Sequence, residues 1–183
     1  MEPLLFITGN PHKFAEAQRV LKARGIIIKR ASADYAEARA DDCETVARLY
    51  AILCARKFRK PLFVEDAGLF VKSLGGFPGA YSAFVHKRIG NRGMLRLMRG
   101  VRDRSAMFVS AIAYSDSKGN VRMFAGKANG RISLSEKGKG GFGYDPIFVP
   151  DGKKETYAEK PELKSDSHRA RALAKLASHL KRK

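Results

Sequence analysis

The chain has 183 residues, with 36 Lys and Arg against 18 Asp and Glu, a formal net charge of +18. Hydrophobic residues make up 44%, enough to bury a core at this length, so a disordered polyanion-binding tail is excluded. The length argues for one domain spanning 1–183, and a charge this positive excludes indifference to anions. In chain order, Leu4 to Thr8 predicts a short buried strand. Asn10 as N-cap and Pro11 at the first helical position then open a helix to about Arg24, with Phe14, Ala17, Val20 and Leu21 at helical spacing. Ile26 to Lys29 predicts a second strand, Asp42 to Phe58 a second helix, and Leu62 to Val64 a strand ending in acid. Gly90 to Met98 predicts a helix, Met107 to Tyr114 and Val121 to Ala125 a hairpin, and Ser167 to Leu180 a terminal helix capped by Asp166 or Ser165. Strand and helix alternate at both ends around a β-rich middle, the pattern of a mixed α/β sheet.

The two cysteines, Cys43 and Cys54, form no CxxC and no Cys/His cluster of zinc spacing, which argues against a disulfide framework or a structural zinc. The apolar stretch at the N-terminus is too short for a signal peptide, and no apolar run approaches the roughly 18 residues of a membrane span. The expectation is a cytoplasmic protein without membrane contact.

Charge is distributed unevenly. Residues 87–127 carry a net +8, whereas 61–86 carry −1 and 128–152 are neutral. Both blocks without excess positive charge are glycine-rich and hold acids among apolar residues, so they are where a site is expected. Thr8-Gly9-Asn10-Pro11-His12-Lys13 joins a strand to a helix, and unpaired N–H groups, the helix dipole and a lysine one turn in make that junction a phosphate cradle. Val64-Glu65-Asp66-Ala67-Gly68-Leu69 closes an apolar strand with two carboxylates, a pattern suited to a Mg²⁺ site or a general base. Adjacent strand residues point to opposite faces, so only one of the two is expected in a pocket. Gly75 to Ser82 reads as a tight hairpin turn. Gly138 to Pro146 packs four glycines, Phe142, Tyr144 and Asp145 into nine residues, a loop on which an aromatic ring can stack on a base. His168 and Arg169 fall at the positive end of the last helix, where cations are disfavoured unless an anion compensates. His12, His86 and His179 receive no role.

In this order the motifs Thr8-Gly9-Asn10 with Lys13, Val64 to Leu69, Gly75 to Ser82, Phe142 to Pro146, Ala158-Glu159, and Lys164 with Ser167-His168-Arg169 resemble the inosine triphosphate pyrophosphatases over the whole chain. The resemblance implies an elongated central sheet flanked by helices, with two lobes and an active-site cleft between them. It implies Mg²⁺-dependent hydrolysis of ITP, dITP and XTP to the monophosphate and pyrophosphate. Thr8, Gly9, Asn10 and Lys13 would hold the triphosphate. Asp66 would activate water or bind Mg²⁺, the metal being held by Glu37, for which Asp41 or Asp42 could substitute, plus Asp66 or Glu65. Ala67 would offer a backbone contact, and Phe142, Gly143, Tyr144 and Asp145 would surround the purine. Lys164, His168 and Arg169 would complete the pocket, with Lys13 and Lys164 adding charge in catalysis. A homodimer is implied as well. The chain departs from the usual pattern at Ala67, Lys160, Tyr50 and Cys54. A basic RNA- or DNA-binding module is the rival class, and dispersal of the basic residues over three blocks without an aromatic platform argues against it. A nucleotide phosphatase of different specificity is the rival within enzymes.

Overall fold

In the computed structural model, which describes residues 3–33 and 40–182, seven strands form one mixed sheet. They are β1 (Leu4–Ile7), β2 (Ile28–Ala31), β3 (Leu62–Val71), β4 (Pro78–Gly79), β5 (Ser105–Ser115), β6 (Val121–Ile132) and β7 (Phe148–Pro150). The order is β2-β1-β3-β5-β6-β7, with β4 added to the far end of β3. β1 pairs in parallel with β2 and β3, and the remaining pairs are antiparallel. The helices are α1 (Pro11–Lys22), α2 (Cys43–Phe58), α3 (Ser82–Leu97) and α4 (His168–Leu180).

Strand alternation decides which helix covers which face. Phe6, Phe63 and Ile112 share a buried cluster with Leu21 of α1 and Leu173 and Leu176 of α4. Ile7, Leu62, Val64 and Ala113 point the other way, onto Cys43, Ala47 and Ala51 of α2. Each fully buried Leu or Phe contributes roughly 1.5–3 kcal/mol, so these two layers hold the parallel half of the sheet between α1 with α4 and α2. A second core gathers Leu69 and Val71, Met94 and Met98 around α3, and Phe108, Ile132, Tyr144, Phe148 and Tyr157. The expected mixed sheet with two lobes is therefore observed.

β3 crosses from one lobe to the other, and its edge positions the site. β1 stops opposite Val64, and β4 begins opposite Leu69. Between them, among the described residues, the edge of β3 at Glu65 to Gly68 has no strand neighbour on that side, while β5 pairs continuously along the other.

Several elements differ from expectation. The strand expected over Leu62 to Val64 runs on through both carboxylates to Val71, because β5 pairs with every residue of it. The hairpin strands are longer than expected for the same reason. The second strand is shifted from Ile26–Lys29 to Ile28–Ala31. α3 starts at Ser82, ahead of the helix expected at Gly90, and is broken at that glycine, which sits at φ 60°, ψ −167°. The last helix is capped by Ser167, whose side chain accepts from Ala170 N, while Asp166 pairs with Arg171 instead.

Candidate active site

The junction of β1 and α1 is pre-shaped by its own side chains. Asn10 Oδ1 accepts from the backbone N–H groups of His12 (2.9 Å) and Lys13 (3.2 Å), and Thr8 Oγ1 accepts from Asn10 N at 3.1 Å. The expected cap and Pro11 start are both present. A Cβ on Gly9 would meet nothing within 4 Å, so the loop faces open space. Lys13 reaches from the first turn to the uncovered edge of β3, where its Nζ donates to Glu65 O at 3.2 Å.

The two carboxylates of β3 have opposite fates. Glu65 is directed to the α1 and α4 face, with its side chain only 1% exposed. Arg169 Nε lies 2.9 Å from each of its carboxylate oxygens, and Ser110 Oγ donates to Oε1 at 2.7 Å. Burial alone would push its carboxyl up. The charges of Arg169 and Lys13 and the hydrogen bonds from Arg169 and Ser110 prevail and hold it below the ordinary value. Asp66 points toward α2, where Cys43 is its hydrogen-bonding neighbour, and its Oδ2 is buried without a partner among the described residues. Burial raises its pKa, opposed by the nearby Lys13 charge and by Cys43. Both oxygens of Glu65 are taken up by the ion pair with Arg169, which ties α4 to β3. The orphaned, desolvated oxygen of Asp66 is the one that suits a cation or a water.

A buried charge cluster closes the α1 and α4 side. Glu16 of α1 binds Arg169 Nη1 through one oxygen and Lys164 Nζ through the other. Lys164 Nζ also lies 2.8 Å from Asp145 Oδ2. Lys13, Lys164 and Arg169 thus face Glu16, Glu65 and Asp145, a balanced set that anions must enter by competing with carboxylates. Sequence reasoning missed Glu16, although its place one turn after Lys13 on the same helix was a usable signal. Ser110, a fully buried serine in β5, was missed too, and its burial has no sequence signature.

The glycine-rich loop is braced from within. Asp145 Oδ2 accepts from Phe142 N at 2.8 Å, and a Cβ on Gly141 would strike that oxygen at 2.1 Å, so only glycine fits. The Ala158-Glu159 motif supports the loop from behind, with Ala158 N donating to Asp145 O and Ala158 O accepting from Gly140 N. Phe142 carries three neighbours: the His12 ring stacked at 5.1 Å and 15°, Lys164 Nζ at 4.6 Å and the Arg169 guanidinium at 5.5 Å from its centroid. His12, given no role from sequence, therefore ties the phosphate junction to the aromatic loop.

The structure brings Thr8, Asn10, Lys13, Glu65, Asp66, Phe142, Asp145, Lys164 and Arg169 into this one region, as far apart in sequence as they are. Tyr144, expected beside the purine, has its side chain in the core: it is buried, meets His86 edge-on and donates from its hydroxyl to Ser82 O. His168 is buried too and stacks on Phe108 at 4.6 Å, with Nδ1 unpartnered. Burial, then the charges of Arg169, Lys164 and Lys13, hold it well below 6.5, so it is neutral. Asp42, the possible substitute metal ligand, caps α2 by accepting from Thr45 N at 2.7 Å. Glu37 lies outside the described residues, and among the described residues no group of three or more His, Cys, Asp or Glu is gathered to hold a metal.

A model of the Ham1 family matches residues 4–179. A dITP/XTP pyrophosphatase of Methanopyrus kandleri is 43% identical over 180 residues, covering 97% of this chain and 96% of the relative. The dITP/XTP pyrophosphatase of Thermococcus kodakarensis is likewise 43% identical over 180 residues, covering 97% of each. Among solved structures, a HAM1 protein from Coxiella burnetii superposes with a TM-score of 0.85 at 28% identity over 100% of both chains. A match from the first strand to the last helix, carried by sequence and by fold together, places this chain in the Ham1 family.

Proposed function

We propose that this protein hydrolyses the non-standard purine nucleoside triphosphates dITP, XTP and ITP to the nucleoside monophosphate and pyrophosphate. The observation that carries the reading is Lys13 bonded to the uncovered edge of β3 beside Asp66, with the Phe142 loop stacked against the same junction through His12. The names of the similar relatives, dITP/XTP pyrophosphatases, support the same substrate class.

In this reading the Thr8 to Lys13 junction binds the triphosphate, with Gly9 giving it room and Lys13 its charge. Phe142 stacks on the purine. Asp66 orients the attacking water and takes its proton, a role suited to a buried carboxylate of raised pKa. Water oxygen bonds to the α-phosphorus, the bond to the bridging oxygen breaks, and pyrophosphate leaves. Asp66, through its unpartnered Oδ2, is also the described residue fitted to hold Mg²⁺. Held there, Mg²⁺ would neutralise charge on the phosphate oxygens. Lys164 and Arg169, 4.6 and 5.5 Å from the Phe142 ring centroid, would donate to a 6-oxo purine edge. A 6-amino purine would leave such donors unpaired, a penalty that reaches on the order of 10⁴-fold.

Under the same reading the protein works in the cytoplasm as a homodimer. Exposed Phe77, Tyr81, Phe84 and Ile89 support a second copy as its partner, and among the described residues no helix is long and apolar enough to cross a membrane. The mass in solution by light scattering tests the dimer.

The deciding experiment incubates the protein with Mg²⁺ and, in parallel, ITP, XTP, dITP, ATP or GTP. Pyrophosphate from the first three is expected. Orthophosphate release, or equal rates on ATP and ITP, would overturn the reading.

A further inference from the structure

We propose that Asn91 is a positioning residue for the base platform, holding the Phe142 loop from the side opposite the buried charge cluster. The inference rests on the reading that Phe142 stacks on the purine. α3 is interrupted at Gly90, whose φ of 60° and ψ of −167° are open to glycine and strained for other residues. Immediately after the break, Asn91 Nδ2 donates to Gly143 O at 3.2 Å. The same amide lies 3.5 Å from Glu136 Oε2, and Asn91 Oδ1 is buried with no partner. A buried acceptor left unpaired is disfavoured, so the amide is held for the contact its nitrogen makes.

Gly143 separates Phe142 from Tyr144 and sits at φ 64°, so a bond to its carbonyl acts on the residue that sets the direction of the ring. The first half of α3 holds the next residue of the loop. His86 meets the Tyr144 ring edge-on at 5.0 Å, and the Tyr144 hydroxyl donates to Ser82 O at 3.4 Å. With Asp145 Oδ2 fixing Phe142 N from the other side, the ring is defined between two walls, and Asn91 is the side-chain donor from the α3 wall to the loop backbone.

Asn91 touches the base loop and not the phosphate junction, and this makes the role separable from a general structural one. Steady-state KM and kcat are measured for dITP and XTP with Asn91→Ala and the isosteric Asn91→Asp, together with the inhibition constant of inorganic tripolyphosphate, which has no base. Loss of the hydrogen bond is expected to raise KM about three- to tenfold, leave kcat within about twofold, and leave tripolyphosphate inhibition unchanged. Unchanged KM in both variants overturns the proposal. A parallel loss of tripolyphosphate affinity, or a matching fall in kcat, also overturns it, because it reports a general loss of structure. Phe142→Ala separates the two levels. If it leaves KM unchanged, the base-platform reading itself fails; if it raises KM while both Asn91 variants do not, only the role of Asn91 fails.

Discussion

Arg169, the second residue of α4, places its Nε 2.9 Å from both carboxylate oxygens of Glu65, 104 positions earlier in the chain. With both side chains buried, this pair and its Glu16 extension pin the last helix to the strand that carries Asp66. Removing the Glu65 charge leaves the buried Arg169 only Glu16, which it shares with Lys164, as a carboxylate partner. Glu65→Gln is therefore expected to lower stability by about 3–5 kcal/mol in urea unfolding, despite near-identical shape. A loss under 1 kcal/mol would show that the pair is not the anchor described.

Asp66 predicts the opposite combination. Replacing it with asparagine removes an orphaned, desolvated charge while preserving the outline of the side chain. Turnover is expected to fall by about 10²–10⁴-fold. The melting temperature is expected to hold or rise, since a group kept for chemistry at a cost in stability is relieved. Near wild-type kcat in Asp66→Asn would remove Asp66 from the mechanism.

The Phe142 ring should act on binding more than on chemistry. Stacking on one base is worth about 1–3 kcal/mol, so Phe142→Ala is expected to raise KM for XTP by roughly five- to a hundredfold with a smaller change in kcat. His12→Ala, which removes the stacked imidazole but leaves the Asn10 cap intact, tests whether that ring matters to the platform. Steady-state kinetics on both variants reads the difference.

Acid sensitivity has a definite order. His168 is held well below 6.5 in the folded protein, whereas the unfolded chain takes up the proton near 6.5. The unfolded state thus binds more protons, and stability falls as pH drops below about 6.5, by at most about 1.4 kcal/mol per pH unit for this group. Glu65, lowered from 4.5, adds a second loss as pH falls below that value. Urea midpoints at pH 7.5, 6.0 and 5.0 should decline for the wild type and decline less for His168→Asn. Equal slopes would assign the acid sensitivity elsewhere.

Most of the local punctuation was legible in the sequence because it is decided by neighbours. Asn10 and Pro11 start α1 through a cap whose acceptor and donors lie within three residues, and the acids after Val64 mark β3 as unusual. What the sequence could not display is pairing across long separations. β3 continues through two carboxylates because β5 pairs along its whole length, and the Arg169 and Ser110 that compensate one of them are far away in the chain. Tyr144 reads as a pocket aromatic in a glycine-rich loop, yet α3 buries it from the side. Glu16 looks like a solvated helix acid until α4 is laid across α1.

The alternation of Glu65 and Asp66 has a consequence for how this strand can change. Glutamate, with one more methylene, spans to the guanidinium of α4 on one face, and the shorter acid stays close to the strand on the other. Exchanging the two would conserve composition, net charge and total side-chain volume. It would nonetheless leave a short arm facing Arg169 and push a long one into the crevice beside Cys43. The order of two adjacent acids is therefore a form of handedness, invisible to any count of residues, and a strand slip of one position would invert it.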